Sequence, residues 1–378
     1  MKEGWEYIDF KDVFPVRMGK TPPRGDKSSW DENKETHNKW VSIADISNNE
    51  GKIIKDTKEY ISDSAAEKIN KVSKGSLLMS FKLSIGRMAF AGDDLYTNEA
   101  IIAIPESNKY ILRFIYYYLL SYNWLSLTEG NEKVKGATLN KSSIGKIQLP
   151  VLSISEQQRI VDYLDAAFAK IDAMKANAEK SLNEAKALFQ ASLKEMLEPK
   201  EGWEEKTLPD ISENLDNKRK PVTKGKRESG IYPYYGASGI VDYVSDYLFD
   251  EDILLISEDG ANLVARSTPI AFSVSGKVWV NNHAHILRFK NIYTQFFVEY
   301  YFASIKIDEY VTGAAQPKFS QKNMNKLPIW IPSIAEQQSI VVTLDSLKSK
   351  VDRLQANFEK ISQECDALKQ AILRQVFE

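Results

Sequence analysis

The chain has 378 residues, of which 43% are hydrophobic and 27% charged, so it is ordinary for a soluble globular protein and long enough for two or three domains. No secretory leader follows Met1 and no apolar run approaches the roughly 18 residues of a membrane span, which predicts a cytoplasmic protein with no membrane contact. The formal net charge of -2 gives no overall sign of nucleic-acid binding, although a local basic face can still meet phosphate.

The chain opens with a pattern that returns in its second half. Residues 3–6 read Glu-Gly-Trp-Glu, and the same four letters recur at residues 201–204. Behind each copy, apolar runs predict buried strands, first at residues 75–79 and 87–90 and then at 252–256 and 270–272. Each set leads to an aromatic helix, 113–121 and 295–304. Strands followed by a late helix indicate an α+β region in each half.

Each half then passes through a glycine-initiated loop, at residues 136–140 in the first half and 313–318 in the second. The second loop contains Pro317, while the first has no proline and is shorter. A short apolar segment follows in both halves. It alternates as a strand does, through Ile147, Leu149 and Val151 and through Leu327, Ile329 and Ile331.

A long helix is predicted to close each half. Residues 154–158 read Ile-Ser-Glu-Gln-Gln and residues 334–338 read Ile-Ala-Glu-Gln-Gln. Each run follows a serine and predicts a capping box, formed by Ser153 with Glu156 and by Ser333 with Glu336. No proline or glycine interrupts either helix, so each can extend on the order of 60 Å.

Apolar residues repeat along both helices, strictly at heptad spacing in the second helix and more loosely in the first. The second helix has one row at Ile340, Leu347, Leu354, Ile361 and Leu368. Two such seams in one chain favour antiparallel pairing of the helices as a coiled coil, although each helix could instead pack on its own globular half. The sequence thus predicts four segments, at residues 1–152, 153–199, 200–332 and 333–378, with the two helices separating two similar α+β domains in a pseudo-twofold internal repeat.

A search for catalytic chemistry finds no convincing site. Gly19-Lys20-Thr21 has the tail of a phosphate-binding loop, but Phe14 stands where the first glycine belongs. Asp26, Glu32 and Lys34 imitate a nuclease's acidic pair and lysine only loosely. With three histidines and one cysteine, Cys365, the sequence predicts neither a metal site nor a disulfide. We therefore expect neither catalytic residues nor metal ligands.

Basic loops give a stronger signal. Six cations crowd into ten residues at 218–227 and are followed by the aromatic, flexible run Tyr-Pro-Tyr-Tyr-Gly-Ala-Ser-Gly at residues 232–239. Such a loop can neutralise several phosphates. An arbitrary basic run is more often a solvated surface, but its place in a repeated domain favours function. The predicted DNA-binding residues are Arg17, Lys20, Thr21, Arg24, Lys27, Lys82, Arg87, Lys218, Arg219, Lys220, Lys224, Lys226, Arg227, Tyr234, Tyr235, Ser238, Arg266, Lys277 and His283.

Several short runs accompany the paired helix openings. In the second half they are Tyr-Tyr-Gly-Ala-Ser-Gly-Ile at residues 234–240 and Ile-Ser-Glu-Asp-Gly-Ala-Asn at 256–262, and in the first half Lys-Gly-Ser-Leu-Leu at 74–78 and Ser-Ile-Gly-Arg at 84–87. With these features the whole chain resembles the specificity subunit of type I restriction-modification enzymes. The loop before Asn140 departs from the family pattern because it lacks the usual proline.

This resemblance implies two target recognition domains, each reading one half of a bipartite site in double-stranded DNA. It also implies a non-catalytic adaptor that recruits two methyltransferase subunits and two restriction subunits. S-adenosylmethionine, ATP and Mg are then expected in those partners, with no cofactor bound by this chain. A free-standing DNA-binding regulator and a coiled-coil protein scaffold remain alternatives.

Overall fold

The computed structural model describes residues 2–82, 84–127 and 139–378. Its contacts divide the chain into two compact units, of which the first comprises Met1–Ala176 with Ile361–Glu378 and the second Asn177–Lys360. Each unit therefore holds one globular region and part of both long helices. Residues 136–138 of the first glycine-initiated loop lie outside the described residues. Within the described part of the chain, no helix is long and apolar enough to cross a membrane.

The first unit is a mixed α+β region. Its elements are β1 Tyr7–Asp9, β2 Arg17–Met18, β3 Lys39–Val41, α1 Ile43–Asn48, β4 Ile53–Ile54, β5 Glu59–Tyr60, α2 Asp63–Ala66, β6 Leu77–Ser80, β7 Met88–Ala91, β8 Tyr96–Thr97, β9 Ile101–Ile104, α3 Leu112–Ser121, α4 Lys141–Gly145, β10 Gln148–Pro150 and the long helix α5 Ile154–Leu197. A five-stranded sheet has the order β2-β9-β6-β7-β4, a three-stranded sheet the order β5-β3-β8, and β1 pairs with β10.

The second unit repeats this plan. Its elements are β11 Glu204–Lys206, α6 Leu208–Ile211, β12 Ser212–Asn214, β13 Ser229–Gly236, β14 Gly239–Val244, β15 Phe249–Asp250, β16 Ile253–Ser257, α7 Asn262–Ala265, β17 Ala271–Val274, β18 Lys277–Val280, β19 Ala284–Phe289, α8 Ile292–Ser304, α9 Gln321–Met324, β20 Ile329–Ile331 and the long helix α10 Ile334–Phe377. The sheets have the orders β12-β19-β16-β17 and β14-β13-β18-β15, and β11 pairs with β20.

The pairing of the central strands is the same in both units, although β4 next to β7 and β15 next to β18 have no counterpart among the described residues of the other unit. The antiparallel neighbours of β6 are β7 and β9, as those of β16 are β17 and β19. In the smaller sheets, β3 is antiparallel to β5 and parallel to β8, while β13 is antiparallel to β14 and parallel to β18. This common topology confirms the predicted α+β class and the internal repeat.

The predicted aromatic helices are present as α3 and α8, and each packs on the core of its unit. Phe114 and Phe297 are fully buried, each in the main core of its unit. The hydroxyl of Tyr118 donates to the Gln148 carbonyl at 2.6 Å, and that of Tyr301 donates to the Pro328 carbonyl at 3.1 Å. Burying an aromatic ring while its hydroxyl finds a carbonyl avoids the cost of an unpaired polar group.

Both long helices begin at the predicted serines. Ser153 Oγ accepts from the Glu156 amide at 3.2 Å, and Ser333 Oγ accepts from the Glu336 amide at 3.3 Å. The glutamate side chains have other partners, since Glu156 binds Arg159 and Glu336 accepts from the Trp203 indole at 3.2 Å. The serine half of each predicted capping box is thus confirmed, while each glutamate carboxylate is bonded elsewhere.

The residue directly after each of these glutamates, a glutamine in both copies, ties each helix to its globular region. Gln157 accepts from the Ile111 amide at 2.9 Å and donates to the carbonyls of Lys109 and Leu152. Gln337 accepts from the Thr294 hydroxyl at 2.7 Å and donates to the Pro332 carbonyl. These amides lie in the core, where an unmade hydrogen bond costs about 1–3 kcal/mol, so the Gln-Gln signature has a structural role.

Antiparallel helix pairing is visible inside the first unit. Lys369 Nζ bonds Asp172 at 2.5 Å and Lys175 Nζ lies 3.6 Å from Asp366, so α5 and α10 run in opposite directions there. Cys365 is buried, and its Sγ lies 3.8 Å from the Ile171 carbonyl. Leu368 is different, since it is 47% exposed although the heptad row predicted burial. The helix buries Leu373 and Phe377 instead, because near its end it packs on the first unit's core.

Candidate nucleic-acid interface

The basic loop of the second unit is clamped onto the face of the β14-β13-β18-β15 sheet. The Trp279 indole on β18 donates to the Lys220 carbonyl at 2.7 Å. The Val222 amide donates to the Tyr234 hydroxyl at 3.0 Å. These bonds come from neighbouring parallel strands, so the sheet fixes the middle of a loop whose own sequence has only two short 3-10 turns.

The two arginines of this loop are internal anchors. Arg227 lies 4.3 Å above the Tyr234 ring and bonds Asp242 at 3.0 Å. Arg219 donates to Glu258 at 2.6 Å and to the Ala284 carbonyl at 2.9 Å. Their side chains are only 17% and 16% exposed. The prediction that both contact phosphate is not supported, because their guanidinium groups are already satisfied within the protein.

Arg219 belongs to a buried charge network beneath the loop. His285 is 1% exposed, with Nδ1 2.6 Å from Asp216 and Nε2 2.8 Å from the Phe319 carbonyl. Burial acts to raise the pKa of Asp216, but His285, the Ile286 amide and Arg219 together bring that pKa below its usual value. The pKa of Glu258 is also lowered, since Arg219 and His285 outweigh its burial. Both carboxylates therefore stay ionised and hold the base of the loop.

The four lysines of the loop remain available. Lys218, Lys220, Lys224 and Lys226 are exposed, and their ammonium groups form no ion pair with any part of the chain that the structure describes. A lysine that keeps its charge in water can exchange a counterion for a phosphate. The loop therefore presents four cations on a backbone that the arginines and aromatics hold in place.

The predicted residues of the aromatic run after the loop also differ in burial. Tyr234 is fully buried, so it is a core residue and does not reach DNA as predicted. Tyr235 is partly buried against Phe272, with ring centroids 6.0 Å apart. Ser238 is exposed in the turn between β13 and β14, which Gly239 completes with a φ of 121°. Only Ser238 of the three is openly presented.

A second basic group surrounds the turn after β16. His283 is half-exposed and its Nδ1 lies 2.8 Å from Asp259. Lys318 is 54% exposed and pairs with Glu258 at 3.2 Å. The loop at 313–318 docks here through the Gly260 amide, which donates to the Pro317 carbonyl at 3.0 Å. Lys318 is not among the predicted DNA-binding residues, because only the docking of two segments distant in sequence brings it to the basic surface.

Two other predicted residues of the second unit lie apart from the clamped loop. Arg266 has a left-handed backbone with φ 50° and donates to the carbonyls of Phe302 and Ile305, each at 3.1 Å. It caps the end of α8, so direct DNA contact by Arg266 is not supported. Lys277 is exposed at the start of β18, and its ammonium lies 4.8 Å from the centroid of the Tyr247 ring.

The first unit builds the same kind of clamp from different residues. The Trp40 indole on β3 donates to the Lys20 carbonyl at 3.1 Å, as Trp279 does to Lys220. Arg24 lies against the rings of Trp30 and Trp40, 4.1 and 4.8 Å from their centroids, and pairs with Glu59. An arginine stacked on aromatic side chains gains cation–π attraction and apolar contact, but Arg24, unlike Arg219 and Arg227, remains 54% exposed.

The remaining predicted residues of the first unit differ in whether their side chains have a partner. Thr21 donates to Glu99, whose pKa is lowered by that bond and by the nearby charges of Lys82 and Arg24. Arg87 is exposed but pairs with Glu50. Exposed side chains without an ion pair in the described residues are Arg17, Lys20 and Lys27.

Catalytic chemistry finds no support among the described residues. They contain no group of three or more histidine, cysteine, aspartate or glutamate side chains placed to hold a metal. The loosely nuclease-like Asp26 accepts hydrogen bonds from Ser28 and Ser29, and Lys34 bonds the Thr57 carbonyl at 2.7 Å. These side chains stabilise turns of the first unit.

A family model described as type I restriction modification DNA specificity domain matches residues 2–184 and 200–363. The type I restriction enzyme EcoprrI specificity subunit of Escherichia coli is 24% identical over 94% of the chain and 90% of that protein. A Haemophilus influenzae protein assigned as a type I restriction enzyme specificity subunit is 35% identical over 41% of the chain, but this match covers only 40% of that protein.

Solved structures share the fold. A chain from a structure of a type I restriction-modification system, described for its complex assembly and conformational transition, matches with a TM-score of 0.75 and 16% identity, covering 100% of this chain and 98% of the other. The HsdS subunit from Thermoanaerobacter tengcongensis matches with a TM-score of 0.57 and 16% identity, covering 100% and 97%. At this identity the likeness concerns the fold alone.

Proposed function

We propose, from the premise that the chain belongs to the type I restriction-modification DNA specificity family, that each of its globular regions reads one half of a bipartite DNA target. The chain is a specificity subunit without catalytic activity of its own. Phosphate contacts by the exposed lysines position each region, and a few neighbouring side chains select bases in the groove.

The clamped basic loop is the observation that carries this proposal. Both units fix a basic loop with a tryptophan indole bonded to a lysine carbonyl and an arginine stacked on an aromatic ring. The residues that do so differ between the units, and so do the loop sequences. A shared scaffold with different exposed side chains is what two readers of unlike half-sites require.

The long helices complete the proposed function. Paired helices of fixed length hold two readers at a fixed distance, so the unread DNA between the half-sites has a set length. Their exposed faces also offer docking surfaces for two methyltransferase subunits, which in turn associate with two restriction subunits. S-adenosylmethionine, ATP and Mg act in those partners under this proposal, and the present chain supplies recognition.

The test is a map of methylated adenines in cells that express the chain together with its methyltransferase subunit and otherwise lack adenine methylation. The expected result is a motif of two half-sites separated by a constant spacer. Exchange of residues 200–332 for those of a relative with another target should change one half-site and keep the other. Loss of both half-sites by a folded chimaera would contradict separate reading.

Two other outcomes identify the alternatives. If the chain binds a specific DNA sequence but does not co-purify with the methyltransferase, it is a free-standing regulator. If it binds the methyltransferase but neither directs methylation nor shifts DNA in a salt-dependent manner, it is a protein scaffold.

A further inference from the structure

The edge strand β14 of the second unit carries an exposed apolar strip. Ile240 is 46% exposed, Val241 56% and Tyr243 51%, and nearby Ile231 on β13 is 79% exposed. The pairing between β13 and β14 shifts register at Tyr234 and Tyr235, which leaves Val241 without an opposite residue. Because of this bulge, two successive apolar side chains reach solvent where strict alternation would bury one of them.

A strip of this kind at a sheet edge is costly unless something covers it. Exposed apolar edge strands tend to pair with other chains, and large exposed apolar side chains in a cluster mark interaction sites. The strip is absent from the equivalent edge strand of the first unit, β5, which consists of Glu59 and Tyr60. There Glu59 pairs with Arg24, and the Tyr60 hydroxyl bonds Asp56 at 2.7 Å. The two units thus differ in the chemistry of the same edge.

The lysines beside the strip favour DNA as its occupant. Arg227 joins the basic loop to β14 through Asp242, and the Ser245 amide donates to the Glu228 carbonyl at 2.9 Å. These contacts hold the exposed Lys224 and Lys226 next to the apolar strip. Cations flanking an apolar strip match a groove of double-stranded DNA, where phosphates line the outside and base edges the inside.

One base edge in the major groove is apolar. Thymine presents a C5-methyl group there, and the groove admits a two-stranded β-ribbon such as β13–β14. We propose, on the basis of the proposed function, that Ile240, Val241 and Tyr243 contact thymine methyl groups and so make the second unit a thymine-selecting reader. The first unit, whose edge strand is polar and ion-paired, reads its half-site without this strip.

The test uses the complex with methyltransferase subunits and the target defined by methylation mapping. Each thymine of the target is replaced singly by deoxyuridine, which keeps base pairing and removes only the methyl group. Burial of one methyl-sized group corresponds to about a fourfold change in affinity. The wild-type complex should lose about fourfold in affinity at one or more thymines, all in the half-site that changes when residues 200–332 are exchanged. Ile240→Ala and Val241→Ala should bind thymine and deoxyuridine duplexes alike at those positions.

Matched variants separate this effect from folding and charge. Ile53→Ala removes an apolar side chain that is 56% exposed, as Val241 is, from edge strand β4 of the first unit. This variant should leave the discrimination between thymine and deoxyuridine unchanged. Lys224→Gln with Lys226→Gln should lower the salt dependence but keep the ratio of affinities for thymine and deoxyuridine. Melting temperatures and co-purification of the methyltransferase should be the same for all variants.

Several results would overturn the inference while leaving the proposed function intact. These are a target with no thymine in the half-site that changes when residues 200–332 are exchanged, deoxyuridine effects that persist in both alanine variants, and loss of the methyltransferase on Val241→Ala, which would make the strip a protein-docking surface. The proposed function fails separately if the wild-type complex has no sequence preference at all.

Discussion

Replacement of Lys224 and Lys226 together by glutamine should weaken DNA binding and make it less dependent on salt. Each phosphate that a lysine neutralises contributes about 0.9 to the slope of log affinity against log salt concentration. Two lost contacts therefore lower the slope by about 1.8, so the affinity lost between about 50 and 200 mM salt becomes about tenfold smaller. Folding should be unaffected because both side chains are exposed and outside any ion pair in the described residues.

The matched control is Lys348→Gln with Lys350→Gln on α10. These lysines are exposed in the same unit, and their replacement removes the same two charges. If the effect came from the net charge alone, both double variants would change the slope equally. A local contact predicts a change in the loop variant alone. The assay is fluorescence anisotropy of a labelled target duplex with the methyltransferase complex over a salt series.

A third variant, Arg227→Gln, tests the distinction between anchors and contacts. It removes the bond to Asp242 and the stacking on Tyr234, so it should lower the melting temperature by an amount equivalent to about 1–2 kcal/mol. Equal slopes for the two lysine double variants would refute the assignment of the loop lysines as phosphate contacts. A stable Arg227→Gln protein with a strongly reduced slope would show that the arginine binds DNA.

Three further predictions concern the helices and the buried network. Deletion of residues 173–179 and 362–368, one heptad from each helix, should shorten the preferred spacer by about three base pairs, because seven helical residues span about 10.5 Å. An unchanged spacer in a methylation map of this variant would disprove the prediction. Leu344→Ala should cost about 2–5 kcal/mol of unfolding free energy and Leu368→Ala less than about 0.5, by denaturant titration, because only Leu344 is buried. The pKa of Asp216 is lowered in the folded state, so its stabilisation is present above about pH 4 and is lost as pH falls further. Asp216→Asn should therefore be less stable at pH 7 and lose less on acidification, and parallel melting curves of variant and wild type across pH would contradict this.

The basic loop illustrates how far sequence reasoning reaches. Six cations in ten residues indicated a basic loop in a repeated domain. The sequence could not show which of these cations are bonded inside the protein and which are exposed. The guanidinium groups of Arg219 and Arg227 bond planar acceptors and aromatic faces and are held inside, whereas the lysines keep hydrated ammonium groups in water. The partners that decide this, Glu258 and Asp242, are distant in sequence or lie on another strand.

Periodicity, capping residues and the recurrence of whole segments determined the two long helices, the internal repeat and the α+β class, because these signals are local and act along the chain. Tertiary structure alone decided which residues are buried or free. Tyr234 reads as a flexible contact but is fully buried beneath the loop, and Leu368 reads as a seam residue but is 47% exposed. Val241 is exposed because of a β-bulge that the sequence pattern does not predict. Burial depends on which distant surfaces meet, and a linear pattern does not contain that information.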